Sequence, residues 1–234
     1  MEPVDEGNSD ASALLAQLRA FAFPGGEEAA RRVRVVHTTQ RGEIRMSPAA
    51  RWIPFTAEET IQTTGSGFRW TARLMGGMRF LRVIDEYAEG RGRLVIQAGG
   101  LVPIKTIRSA DTDKAELQRY LAGVILCPPV LLNHPSLAWT AAGPGTLRVR
   151  DQASGGDTSV EIDVGPGGCP TGCRALRPRL VGKDAVLTAW SAVATEFGEW
   201  EGIRAPRRLE VFWHLEDGPF AYFRAELTSF QMVC

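Results

Sequence analysis

Most signatures that announce a chemistry are missing from this chain of 234 residues. It carries no phosphate-binding loop, nucleophile elbow, HExxH or dinucleotide fingerprint, which removes the motif-level case for nucleotide, serine-hydrolase or zinc-protease activity. Histidine is scarce: His37, His134 and His214 lie far apart, and no triad can be built from them without invention. Cysteine is equally thin. Cys169-Pro-Thr-Gly-Cys173 sits in a Gly/Pro loop with no Cys/His pair at finger spacing, so neither a metal nor any other cofactor is expected.

Charge of one sign is also lacking. Lys+Arg and Asp+Glu balance at 27 each, so no net field draws the chain to nucleic acid or to an anionic membrane. No apolar run approaches the ~20 residues of a membrane span. The first ten residues are acidic and polar, without the basic start and apolar run of a secretory signal. A soluble, cytoplasmic protein with reduced thiols is therefore the expectation.

What is present is strand signal. In Phe68-Arg-Trp-Thr-Ala-Arg-Leu74 the apolar Phe68, Trp70, Ala72 and Leu74 alternate with Arg69, Thr71 and Arg73. That period of two marks a strand with one buried face. Glycine-rich breaks on either side make it the centre of an antiparallel meander running from Arg51 to Tyr87. Further strands are expected over Leu137–Ala141, Thr146–Asp151, Ser159–Val164, Val186–Phe197, Arg207–Leu215 and Ala221–Met232. His37 reads as a histidine at a sheet edge.

Two stretches read as helices instead. Leu14, Leu15, Leu18 and Phe21 form a stripe within residues 11–22, capped by Ser9 or Asp10. Leu117, Tyr120, Leu121 and Val124 share a face within residues 113–125, after a capping Asp or Thr. The pattern predicts a mainly β (α+β) fold: a strongly curved antiparallel sheet or incomplete β-barrel, with both helices on or over its cavity. Residues 1–32 form an N-terminal helical segment, residues 33–234 a single half-barrel domain with residues 113–125 as a lid. The Gly165–Gly172 loop is the expected mobile element.

The order of motifs adds a resemblance. Gly42-Glu-Ile-Arg45, Arg51-Trp52, Pro54-Phe55, Ala57-Glu58, Gly67-Phe-Arg-Trp70, Asp85-Glu-Tyr87 and Leu117-Gln-Arg-Tyr-Leu121 occur in sequence. Pro128–Leu132, Trp139, Arg204-Ala-Pro206, Trp213 and Tyr222-Phe-Arg224 follow. From about Val33 onward this resembles a family of unknown-function domains common in actinobacteria. That family is similar in architecture to the lipoprotein-localisation carriers, which implies a curved sheet around an apolar cavity under helical lids. One departure is Gly123, where the family tends to place an acidic residue.

The chemistry on offer is aromatic and carboxylic. Trp70, Tyr120, Trp139, Trp213 and Tyr222 are the candidate cavity-lining, ligand-binding residues, although the core of a half-barrel would use the same residues. Asp85, Tyr87 and Glu58 are the candidate catalytic residues; a solvated strand face or pairing with Arg69 and Arg82 is the plainer alternative. Asp85 shares a face with Val83 and Tyr87, and an inward carboxylate beside aromatics suits a general acid or base. Glu116, Arg119 and Tyr120 would rim the lid. An apolar pocket is expected between sheet and lid helix, walled by Trp70, Asp85, Tyr87, Tyr120 and Trp213.

Two functions fit. One is a cofactor-independent enzyme holding a hydrophobic small molecule, a cyclase or isomerase of bacterial secondary metabolism. The other is a non-catalytic carrier of a lipid-like ligand. Lipoprotein carriers work outside the cytoplasm and this sequence shows no export signal, which tips the expectation towards the enzyme.

Overall fold

A computed structural model describes residues 6–76 and 79–234. The strands are β1 (Val35–Ile44), β2 (Ile53–Gln62), β3 (Phe68–Gly76), β4 (Arg79–Ala88), β5 (Arg91–Ala98), β6 (Val102–Ile107), β7 (Leu137–Gly143), β8 (Thr146–Asp151), β9 (Ser159–Val164), β10 (Pro170–Val181), β11 (Asp184–Trp200), β12 (Ile203–Leu215) and β13 (Gly218–Val233). The helices are α1 (Glu6–Ala22), α2 (Ala110–Ala122) and the single turn α3 (Val130–Asn133). All strands join one antiparallel sheet in the order β6-β5-β4-β3-β2-β1-β13-β12-β11-β10-β9-β8-β7. The first and last strands of the chain meet at its centre. Edge strands β6 and β7 do not pair with each other, so the barrel stays open.

The two-residue alternation sets the inner face. Phe55, Ala57 and Ile61 of β2 are buried, as are Phe68, Trp70, Ala72 and Leu74 of β3, and the register aligns these rows directly. A bulge between Val211 and Phe212 changes the parity where β12 meets β13. Both Tyr222 and Phe223 pack against the core there, although they are neighbours in sequence.

Helix α2 spans the concavity, touching β4 and β5 on one side and β9 and β10 on the other. Ser109 caps it, its Oγ accepting from Thr112 N at 3.1 Å, so the cap stands two residues before the expected Asp or Thr. The helix starts against β5 because residue 92 is glycine: a Cβ there would lie 2.5 Å from the Thr112 carbonyl oxygen. Leu117, Tyr120, Leu121 and Val124 are buried beneath it. Burial of a Leu or Val side chain stabilises by roughly 1.5–3 kcal/mol, enough to seat a short helix whose isolated stability is marginal.

Three stretches depart from the sequence reading. The Gly165–Gly172 segment is packed rather than loose: Gly168 has φ +82° and approaches α1 so closely that a Cβ would sit 2.0 Å from Gln17 O. The strand after it, β10, is unforeseen because Arg174, Arg177, Pro178 and Arg179 give it the look of a loop. Pairing to β9 ends at Arg174, so Pro178 lies where β10 has only β11 as a neighbour. The N-terminal helix starts at Glu6, earlier than residue 11, and its Leu18 and Ala22 belong to the same core as the sheet.

Candidate functional site

The concave face carries a wall of aromatic rings. Phe55 stacks on Phe223 with centroids 5.1 Å apart, and Trp70 meets them at 5.6 and 6.2 Å. Beside this group Trp213 stacks on Tyr222 at 5.6 Å, with Phe220 at 6.4 Å from the same tyrosine. Trp190 faces Trp213 across β11 and β12, and its Nε1 donates to Tyr222 Oη at 3.1 Å. Trp213, Tyr222 and Phe223 remain partly exposed, whereas Trp70 and Trp190 are buried.

Below the rings lies a cluster of charges, larger than the single wall carboxylate, Asp85, expected there. Arg119 of α2 pairs with Asp85 of β4 and, at 3.2 Å, with Glu59 of β2. Its guanidinium lies 4.6 Å over Phe68 and 5.0 Å over Trp70. Gln40 of β1 donates to Glu59 at 2.7 Å and accepts from Trp70 Nε1 at 3.2 Å. Arg119 and Glu59 are thus each tied to a ring or a second polar group, as buried charges require, whereas Asp85 pairs through one oxygen and its Oδ1 has no hydrogen-bond partner among the described residues.

One helical turn before Arg119, Glu116 is buried, and its Oε2 has no hydrogen-bond partner among the described residues. Burial and then Asp85 push its carboxyl up to about 8, against the pull of Arg119 and Arg177. Burial also raises Glu59, more than Arg119 and Gln40 lower it. Arg177 of β10 donates to the Ala115 carbonyl at 2.8 Å and lies 4.8 Å over Trp190. Three carboxyl groups therefore face two guanidiniums, and at neutral pH the balance is met by a proton kept on Glu116.

The expected site residues divide. Asp85, Trp70, Trp213 and Tyr222 face the concave side together. Tyr87 is on the same face but buried near the β4–β5 turn, where burial and then Asp151 and Asp113 raise its phenol. Glu58 is exposed on the opposite face of β2, because only Glu59 has the parity of Ala57 and Ile61. Asp85 and Glu58 thus sit on opposite sides of the sheet. Tyr120 is buried, its hydroxyl donating to the Gln62 carbonyl at 2.9 Å and its ring beside His134, which places it away from the ring wall. Trp139 is on the edge strand β7, which packs on α1. Among the residues that the sequence reading passed over, Glu59 was visible in the alternation of β2. Arg177 and Phe223 were not, since one lies in an unforeseen strand and the other depends on a bulge.

A second concavity, of about 1190 Å³, opens on the outer face of β8–β11. Of the sequence candidates it includes none, and its wall is an ion ladder in which Glu161 joins Arg148 and Arg174 at 2.6 and 2.9 Å. Among the described residues no group of His, Cys, Asp and Glu is arranged to hold a metal ion. Among them, too, no helix is long and apolar enough to cross a membrane.

An open antiparallel half-barrel with a helix across an aromatic concave face defines the class of architecture. The chain belongs to DUF6544, a family of unknown function, whose model matches residues 17–225. No curated protein matches it in sequence. A DUF1329 family protein from Desulfovibrio piger shares the fold at a TM-score of 0.51 and 8% identity, covering 95% of this chain and 92% of that one. A LolA superfamily protein from Nitrosomonas europaea is similar at 9% identity and a TM-score of 0.48, covering 96% and 94%. A putative outer membrane lipoprotein-sorting protein domain from Vibrio parahaemolyticus gives 8% and 0.48, covering 97% and 92%.

Proposed function

We propose that this protein is a non-catalytic binding or carrier protein for a hydrophobic small molecule, held on the concave face of the half-barrel. The observation that carries this reading is the partly exposed ring wall of Trp213, Tyr222 and Phe223 above a cluster in which Arg119 bridges Asp85 and Glu59. Apolar walls with a few fixed polar groups are the usual make-up of a small-molecule site. The cyclase or isomerase reading has less support. Its carboxylate Asp85 is engaged by Arg119, and Glu58 is on the far side of the sheet. A base tied to a guanidinium is poorly placed to take a substrate proton.

The test is titration with the neutral fluorophore N-phenyl-1-naphthylamine, followed by recovery of the probe. Saturable one-to-one binding, weakened by Phe223→Ala and with the probe returned chemically unchanged, supports the carrier. Binding that does not saturate, or is indifferent to Phe223→Ala and Trp213→Ala, overturns it.

A further inference from the structure

Four buried polar atoms lie along the seam where α2 passes between β4 and β10, without a hydrogen-bond partner among the described residues. They are Asp85 Oδ1, Glu116 Oε2, Gln118 Oε1 and Arg177 Nε. Glu116 and Arg177 each keep only 7% of their surface exposed. The seam is not sealed: the side chains of Asp85 and Arg119 retain 20% and 24% of theirs. Acceptors outnumber donors among them, three to one. Arg119 is committed to Asp85 and Glu59 with its plane against Phe68 and Trp70, and Arg177, whose Nε is the one unpartnered donor of the four, gives its Nη2 to the Ala115 carbonyl and its plane to the Trp190 ring.

Resting on the carrier reading, we propose that the ligand is an amphiphile with a protonated amine head. The ammonium seats between Asp85 and Glu116, and the apolar body lies on Trp213, Tyr222 and Phe223. An ammonium brings three donors and no acceptor, which suits two carboxyl oxygens that lack donors. An anionic head would join Glu59, Asp85 and Glu116 in one poorly solvated place, and an alcohol brings a single donor. Aromatic faces at the mouth of the seam favour a cation further.

The proton count follows from the groups around Glu116. Asp85 faces it from β4, Arg177 from β10 and Arg119 from its own helix, with Glu59 and Tyr222 beyond them. At neutral pH Glu116 carries its proton. The incoming ammonium favours the carboxylate, so one proton leaves to bulk solvent and the charge of the seam is unchanged by binding.

The experiment compares octylamine, 1-octanol and octanoate by calorimetry at pH 7, in two buffers of different ionisation enthalpy. The amine is expected to bind at least tenfold more tightly than either analogue. It should release close to one proton, and Glu116→Gln should abolish both the release and most of the preference. Equal affinity for the three heads, preference for octanoate, or amine binding without proton release overturns the amine assignment and leaves the carrier reading standing. No competition with N-phenyl-1-naphthylamine by any of the three overturns both. A far-ultraviolet circular dichroism spectrum matching the wild type shows that the Glu116→Gln variant is folded.

Discussion

Arg119 on α2 and Asp85 on β4 are joined in a salt bridge that pins the crossing helix to the sheet, and the second arm of the same guanidinium reaches Glu59 on β2 at 3.2 Å. One side chain therefore ties three elements together. The pair is largely shielded from water, so removing one partner leaves the other charged and poorly solvated.

Arg119→Met is accordingly expected to cost about 3–5 kcal/mol, more than an ordinary surface charge removal. Urea denaturation measures it. Amide exchange should accelerate in residues 110–122 before it does so in β1 and β13. A cost below about 1 kcal/mol would mean that the pair behaves like a surface ion pair.

Glu116 makes stability fall with rising pH. Its carboxyl is held up to about 8 in the folded chain against 4.5 when unfolded. Between those values the unfolded chain has released a proton that the folded chain still binds, so rising pH favours unfolding. Its stabilising contribution is complete below pH 4.5 and lost by the time pH passes about 8. Glu116→Gln removes this component. The stability of the variant relative to wild type should rise across that interval, as thermal unfolding at several pH values can show.

Asp151 acts at the acid end. Despite partial burial its carboxyl is held below the usual range, by Ser136 and Ser66 hydroxyls at 2.5 and 2.7 Å and by Ala153 N–H at 3.0 Å. The stability it contributes is present above its unfolded value and disappears as pH falls through the depressed one. Asp151→Asn should flatten the acid limb of a melting-temperature profile. It should also loosen the β2–β3 turn, which Ser66 anchors.

Gly168 tests the packing of α1. A side chain there meets both a positive φ of +82° and the Gln17 carbonyl at 2.0 Å, so Gly168→Ala is expected to cost more than about 1 kcal/mol and to release α1. Limited proteolysis reads the result as cleavage within residues 6–22. Unchanged protection would show that the segment can shift without loss.

Phe223 tests the ring wall. Phe223→Ala should weaken binding of a hydrophobic probe by about 1–3 kcal/mol through lost apolar contact. Thr228→Ala, on the exposed side of the same strand, serves as the matched control and should leave binding unchanged. Equal loss in both variants would assign the effect to β13 as a whole.

The alternation of Phe68, Trp70, Ala72 and Leu74 by itself determined a strand and its buried face, because a period of two has one structural meaning. The Leu117, Tyr120, Leu121 and Val124 stripe likewise determined a helix that must bury one side. Gly/Pro punctuation separated most of the strands. That is the part of the fold written in local sequence, and it extended to the inward parity of Asp85.

The site was decided elsewhere. Glu59, Asp85, Glu116 and Arg177 come from four elements that are distant in the chain, and only the closing of the sheet by β1 on β13 and the passage of α2 across it bring them together. Desolvation made Glu116 a proton-holding group, and no sequence window contains the neighbours that desolvate it. A bulge at Val211 and Phe212 placed two consecutive aromatics on one face, against the alternation that sequence reading relies on. Periodicity reports which side of an element is buried. What is buried against it follows from long-range pairing, and here that pairing gathered charges from four elements beneath a wall of rings.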